Sequence, residues 1–153
     1  TREFIRNDQL QPSDKFKPVR CFDVNMNKFD WNSVKGKKFT IIVGGLWCMT
    51  HGMDNSLPKQ YFESIKEKYG DSHQPILYVY CNDSEEMIEE IKEFGLEDYT
   101  VISDFKGGAT PFTSIYNCQA TPTCIYTDAE GIIVNIMEGL DPNYLENEFI
   151  LKQ

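Results

Sequence analysis

The hydrophobic and polar positions change period several times along the chain, and each change marks an element. Residues 39–46, Phe-Thr-Ile-Ile-Val-Gly-Gly-Leu, form a near-continuous apolar run, the pattern of a strand covered on both faces. Tyr61, Phe62, Ile65 and Tyr69 then recur at helical spacing. Asp54, Asn55 and Ser56 are candidate caps, Pro58 falls in or near the first turn, and Gly70 is the stop. A second β-rich run, Pro75 to Tyr80, ends at Cys81. Asn82-Asp83-Ser84 opens an amphipathic helix carrying Met87, Ile88, Ile91 and Phe94 as far as Gly95. Tyr99 to Ile102 reads as a third strand, and Thr110-Pro111 begins a short helix through Tyr116. Thr121 to Tyr126 and Gly131 to Met137 form a hairpin across Asp128-Ala129-Glu130-Gly131, with glycine where positive φ costs least. Asp141-Pro142 starts a last helix with Tyr144, Leu145 and Phe149 facing inward.

Ahead of this series, residues 1–15 are polar and aperiodic and read as an arm or linker, leaving residues 16–153 as one domain. Phe16 to Val24, interrupted by Pro18, and Phe29 to Val34 flank a turn at Asn25–Lys28 and predict an N-terminal β-hairpin. The whole order predicts an α/β fold. Its centre is a mixed β-sheet flanked by helices on both faces.

Composition narrows the function. The 153 residues, 41% of them hydrophobic, suffice for one packed core. Fifteen basic against twenty-four acidic residues give a net charge of −9, which argues against a nucleic-acid partner, since that needs a concentrated basic patch. The one basic cluster, Lys35, Lys37 and Lys38 around Gly36, reads as a solvated turn. The acidic face Glu85, Glu86, Glu89, Glu90 and Glu93 reads as solvated helix surface, and Asn82-Asp83-Ser84, although it fits a glycosylation sequon, is explained by capping. No apolar run reaches the roughly 20 residues that cross a bilayer.

The candidate chemistry lies in cysteine. Five cysteines, Cys21, Cys48, Cys81, Cys118 and Cys124, are an odd, irregularly spaced set and do not form a disulfide framework. Cys21, Cys118 and Cys124 sit in apolar or strand-like contexts and read as buried small hydrophobes. Cys48 differs: Trp47-Cys48 ends the first core strand just ahead of a helix. Unpaired helical N–H groups and the helix dipole at such a junction favour thiolate, the form that attacks disulfides.

Four features in order carry a resemblance: Ser33-Val34-Lys35-Gly36-Lys37, Trp47-Cys48, Tyr116…Ala120-Thr121-Pro122-Thr123, and Ile125-Tyr126-Thr127-Asp128-Ala129-Glu130-Gly131. Together they resemble the thioredoxin superfamily, in particular its TlpA/ResA-like branch of thiol–disulfide oxidoreductases, over roughly residues 16–151. The resemblance implies a cis bond at Pro122, a substrate groove formed by Trp47, Thr121 and Pro122, and partners that are protein or small-molecule thiols and disulfides. It implies no cofactor, and a periplasmic or extracytoplasmic address.

The sequence departs from that branch at one decisive position. His51 stands where the second cysteine of the Trp-Cys-x-x-Cys motif belongs; aligning on Pro58 instead implies a two-residue insertion and puts Met53 there. Cys48 can then form a mixed disulfide but lacks its usual resolving thiol. Cys81, at the end of a parallel strand, is the internal candidate, and His51 is a candidate cation or general base for Cys48. Cys48, His51, His73 and Cys81 lack the close-paired spacing of structural zinc sites, so no metal is assigned. Thiol-peroxidase patterns fail as well, with Gly45 three residues before Cys48 and Met49-Thr50 after it. Two readings follow. One is a monothiol oxidoreductase working through Cys48. The other is a redox-inactive binding module that uses the groove beside Thr121-Pro122.

Overall fold

The computed structural model describes residues 9–44, 57–118 and 123–138. Within them, strand β1 (Lys38–Val43) leads to α1 (Leu57–Tyr69), β2 (His73–Tyr78), α2 (Ser84–Phe94) and β3 (Val101–Ile102). The short helix α3 (Pro111–Ser114) and the hairpin β4 (Thr123–Thr127) and β5 (Ile133–Glu138) follow. The strands form one five-stranded sheet in the order β3-β2-β1-β4-β5. β1, β2 and β3 pair in parallel, whereas β4 runs antiparallel to both β1 and β5. This is the mixed α/β sheet that the pattern predicts. The last helix expected from Asp141 lies outside the described residues.

Strand periodicity divides the core into two layers. Ile42, Leu77, Val79, Cys124 and Tyr126 face α1 and α2, where they meet Phe62, Ile65, Met87, Ile91 and Phe94. Phe39, Ile41, Val43, Ile76, Tyr78 and Ile125 face the other way, onto Phe16, Val19 and Val34 of the N-terminal segment and Phe112 and Tyr116 around α3. Two consecutive parallel crossovers in the same direction explain why α1 and α2 share a face. Each fully buried side chain such as Phe62 or Ile65 contributes about 1.5–3 kcal/mol relative to exposure.

Local chemistry sets the element ends. Asp83 accepts the Glu86 N–H at 2.9 Å while the Glu86 carboxylate accepts the Asn82 N–H at 3.1 Å, so two otherwise unpaired donors at the start of α2 are satisfied. Gly95 ends the helix with its N–H on the carbonyls of Ile91 and Lys92. Thr110 caps α3, accepting the Phe112 N–H, and Pro111 takes the first helical position.

Two regions differ from the sequence pattern. The N-terminal hairpin is reduced to its turn: Phe22 and Lys28 form an isolated antiparallel bridge, and Trp31–Val34 is a 3-10 helix instead of a second arm. Asp30 accounts for this by accepting the Asn32 N–H at 2.9 Å and capping the helix. Residues 9–15 lie against the domain. Leu10 is buried, its N–H bonds the Ile115 carbonyl, and Ser13 bonds the Ile133 carbonyl.

Candidate thiol site

Trp47, Cys48, His51, Thr121 and Pro122 lie outside the described residues, as does the expected cis bond. The described flanks of both stretches leave the sheet at one edge. Val43, the last residue of β1, pairs with Thr123, the first of β4, and the Gly44 N–H bonds the Tyr78 carbonyl at 3.0 Å. Cys48 follows Gly44 by four residues and Pro122 immediately precedes Thr123.

Cys81 lies beyond the end of β2 at that same edge, which is where the sequence places it. Its environment could not be read from the sequence. It is buried, its thiol donates to the Ser103 hydroxyl at 3.4 Å, and Ser103 in turn donates to the Val79 carbonyl at 2.7 Å. Ser103 also accepts the Phe105 N–H, and the Gly107 N–H bonds the Cys81 carbonyl. Gly107 has φ +55°, and a Cβ there would meet the Asn82 side-chain oxygen at 2.8 Å, so glycine closes this loop with the least strain. Burial pushes the Cys81 thiol up to about 11; the Glu86, Glu90 and Asp83 carboxylates add to that, against the Ser103 hydrogen bond. At neutral pH it is a protonated thiol.

The other described cysteines also carry no disulfide and are buried and protonated, in line with their apolar contexts. Cys118 and Cys124 are each pushed up to about 12, mainly by burial. Cys21 rises as well, from burial and then from the nearby Asp104 carboxylate. Asp104 is itself a buried residue that periodicity does not single out: its Oδ1 accepts the Tyr78 hydroxyl at 2.5 Å and the Lys106 N–H at 3.2 Å.

His73 stands at the first residue of β2, the opposite end from Cys81, so these two cannot join one ligand set. It is buried, shares a 2.6 Å hydrogen bond with the Thr40 hydroxyl, and is lowered to about 4 by burial and then by the Lys38 charge.

No family model matches the sequence, and no curated protein does. Solved structures do match. A protein named as a thiol:disulfide interchange protein DsbE, from Chlorobium tepidum, is 18% identical with a TM-score of 0.74, over 94% of this chain and 98% of that one. A thiol-disulfide isomerase from Corynebacterium glutamicum is 16% identical with a TM-score of 0.72, over 92% and 95%. The exposed lipoprotein thioredoxin of Streptococcus pneumoniae is 19% identical with a TM-score of 0.66, over 89% and 98%. At these identities the likeness is one of fold: the chain has the thioredoxin-like fold, and its structural neighbours are thiol–disulfide oxidoreductases of that superfamily.

Proposed function

We propose that this protein is a monothiol thiol–disulfide oxidoreductase of the TlpA-like kind, with Cys48 as its nucleophile and Trp47, Thr121 and cis-Pro122 lining the substrate groove. The observation that carries this reading is the state of the other cysteines. Cys21, Cys81, Cys118 and Cys124 are all buried with raised pKa values, which leaves Cys48 to supply a thiolate. The pairing of Val43 with Thr123 supports it by bringing both flanking segments to one sheet edge, where sites gather in open α/β folds.

In the first step the Cys48 thiolate attacks a substrate disulfide, forming a mixed disulfide and releasing one substrate thiolate. A small-molecule or protein thiol then attacks that mixed disulfide. It takes the substrate sulfur into a new disulfide, loses its proton and regenerates the Cys48 thiolate. The raised pKa of Cys81 favours an external resolving thiol over an internal one. His51 holds the thiolate form as a neighbouring cation or takes the thiol proton. The resemblance also supports an extracytoplasmic setting, and no helix among the described residues is long and apolar enough to cross a membrane.

Alkylation rate against pH, mapped cysteine by cysteine on unreduced protein, tests this. Cys48 is expected to titrate below the ordinary value of about 8.5 and to outpace every other cysteine. With glutathione present, Cys48→Ser is expected to abolish reduction of a model disulfide, whereas Cys81→Ser retains it. If Cys48 reacts like an ordinary thiol, the catalytic reading fails. Peptide binding that survives Cys48→Ser would then identify a redox-inactive module that binds through the Pro122 groove.

A further inference from the structure

The end of the sheet away from the thiol edge carries a cavity of about 440 Å³, within the range of small-molecule sites. Its floor is aromatic. The rings of Phe16 and Trp31 lie 5.1 Å apart, and Phe39 meets Phe16 edge-on at 5.2 Å. The Trp31 indole N–H donates to the Val19 carbonyl at 2.8 Å, which fixes the ring plane. The Phe16 N–H bonds the Gly131 carbonyl, so the β4–β5 turn closes one wall. These contacts hold the floor rings against one another, and fixing such a surface before binding lowers the ordering cost of accepting a flat ring.

Its rim is cationic on a chain of net charge −9. Lys15, Lys35 and Lys37 line the cavity, with Glu130 as the one acidic lining residue. Among the described residues, none of the three ammonium groups has a hydrogen-bond or ion-pair partner. The Lys35-Gly36-Lys37 turn, which reads as merely solvated in the sequence, is thus set above an aromatic floor. We propose that this cavity binds a small aromatic anion, its ring against Trp31 and Phe16 and its acid group between Lys35 and Lys37. The site stands apart from the thiol chemistry: Phe39 and Val43 lie about 13 Å apart along β1.

Titration of the isotope-labelled full chain with naphthalene-2-carboxylate, followed by NMR, tests the proposal, with neutral 2-naphthamide as the control probe. Saturable shifts are expected at the Gly36 and Gly131 amides and the Trp31 indole N–H, with the acid binding at least about fivefold tighter than the amide. The double variant Lys35→Gln, Lys37→Gln is expected to erase that preference and leave amide binding unchanged. Its thermal melt should match the parent, because Lys35 is exposed, Lys37 is only half-buried, and glutamine keeps most of each side chain's length. Three results would each overturn the proposal: no saturable shift at these positions up to about 5 mM probe, equal affinity for acid and amide, or an unchanged acid preference in the double variant.

Discussion

Tyr116 shows how much a single hydroxyl can organise. It donates to the Lys17 carbonyl and accepts the Lys17 N–H at 2.9 Å, fastening the N-terminal segment to the region behind α3. Its ring packs between Phe16 and Phe112, at 5.4 Å from each. Tyr116→Phe keeps the ring and strips both hydrogen bonds from part-buried backbone, at an expected cost of about 2 kcal/mol. For a chain of this size that lowers Tm by roughly 4–8 °C. Faster amide exchange at Lys17 separates this cause from general loosening, and an unchanged Lys17 rate would refute it. The sequence singled out Tyr116 through resemblance alone, because its partner is 99 residues away and no periodicity links them. Cys81 teaches the same lesson. Its place at the end of a parallel strand was legible, but its thiol's partner, Ser103, follows a different strand.

At the scale of elements, legibility follows locality. α2 was readable because its apolar spacing, its cap and its terminal glycine all fall within one short stretch. Asp83→Ala is expected to cost about 1 kcal/mol by leaving the Glu86 N–H unpaired. A urea titration measures this as a lower midpoint with an unchanged slope; a midpoint equal to the parent's would mean that Glu86 alone holds the helix start. The N-terminal hairpin is cut down to its turn and one bridge for the converse reason. Its second arm carries Phe29, Trp31 and Val34, yet Asp30 caps a 3-10 turn there and Trp31 reaches back to Val19, so local side-chain bonding overrides the pattern. Residues 9–15 lacked any apolar period because they dock largely through backbone groups, on Ile115 and Ile133, apart from Leu10. Strand order in the sheet was legible only as a class. The pairing of β1 with β4, which brings Val43 beside Thr123, joins segments 80 residues apart in the chain.

For the whole molecule, two layers of core confine stability to a pH window bounded by groups that folding keeps neutral. His73, enclosed by Thr40 and Tyr69 with the Lys38 charge nearby, stays unprotonated down to about 4, whereas the unfolded chain takes up its proton near 6.5. Below 6.5 the unfolded state therefore binds more protons, and stability falls as pH drops toward 4, by on the order of 3 kcal/mol for this group. On the alkaline side the sign of the proton difference reverses. Above about 9 the unfolded thiols ionise, while folded Cys81, Cys118 and Cys124 hold their protons to about 11, 12 and 12. The folded state then binds more protons, and stability falls as pH rises, with buried Tyr78 and Tyr116 pulling the same way. Urea midpoints across pH 4.5–10.5 should therefore trace a plateau between about 6.5 and 9 with a decline on either side. In His73→Leu the overall midpoint drops because the Thr40 hydroxyl loses its buried partner, but the decline between pH 6.5 and 5 flattens while the alkaline limb is unchanged. A variant that keeps the parent's slope over that acidic range would mean that carboxylates, rather than His73, set the acid limit.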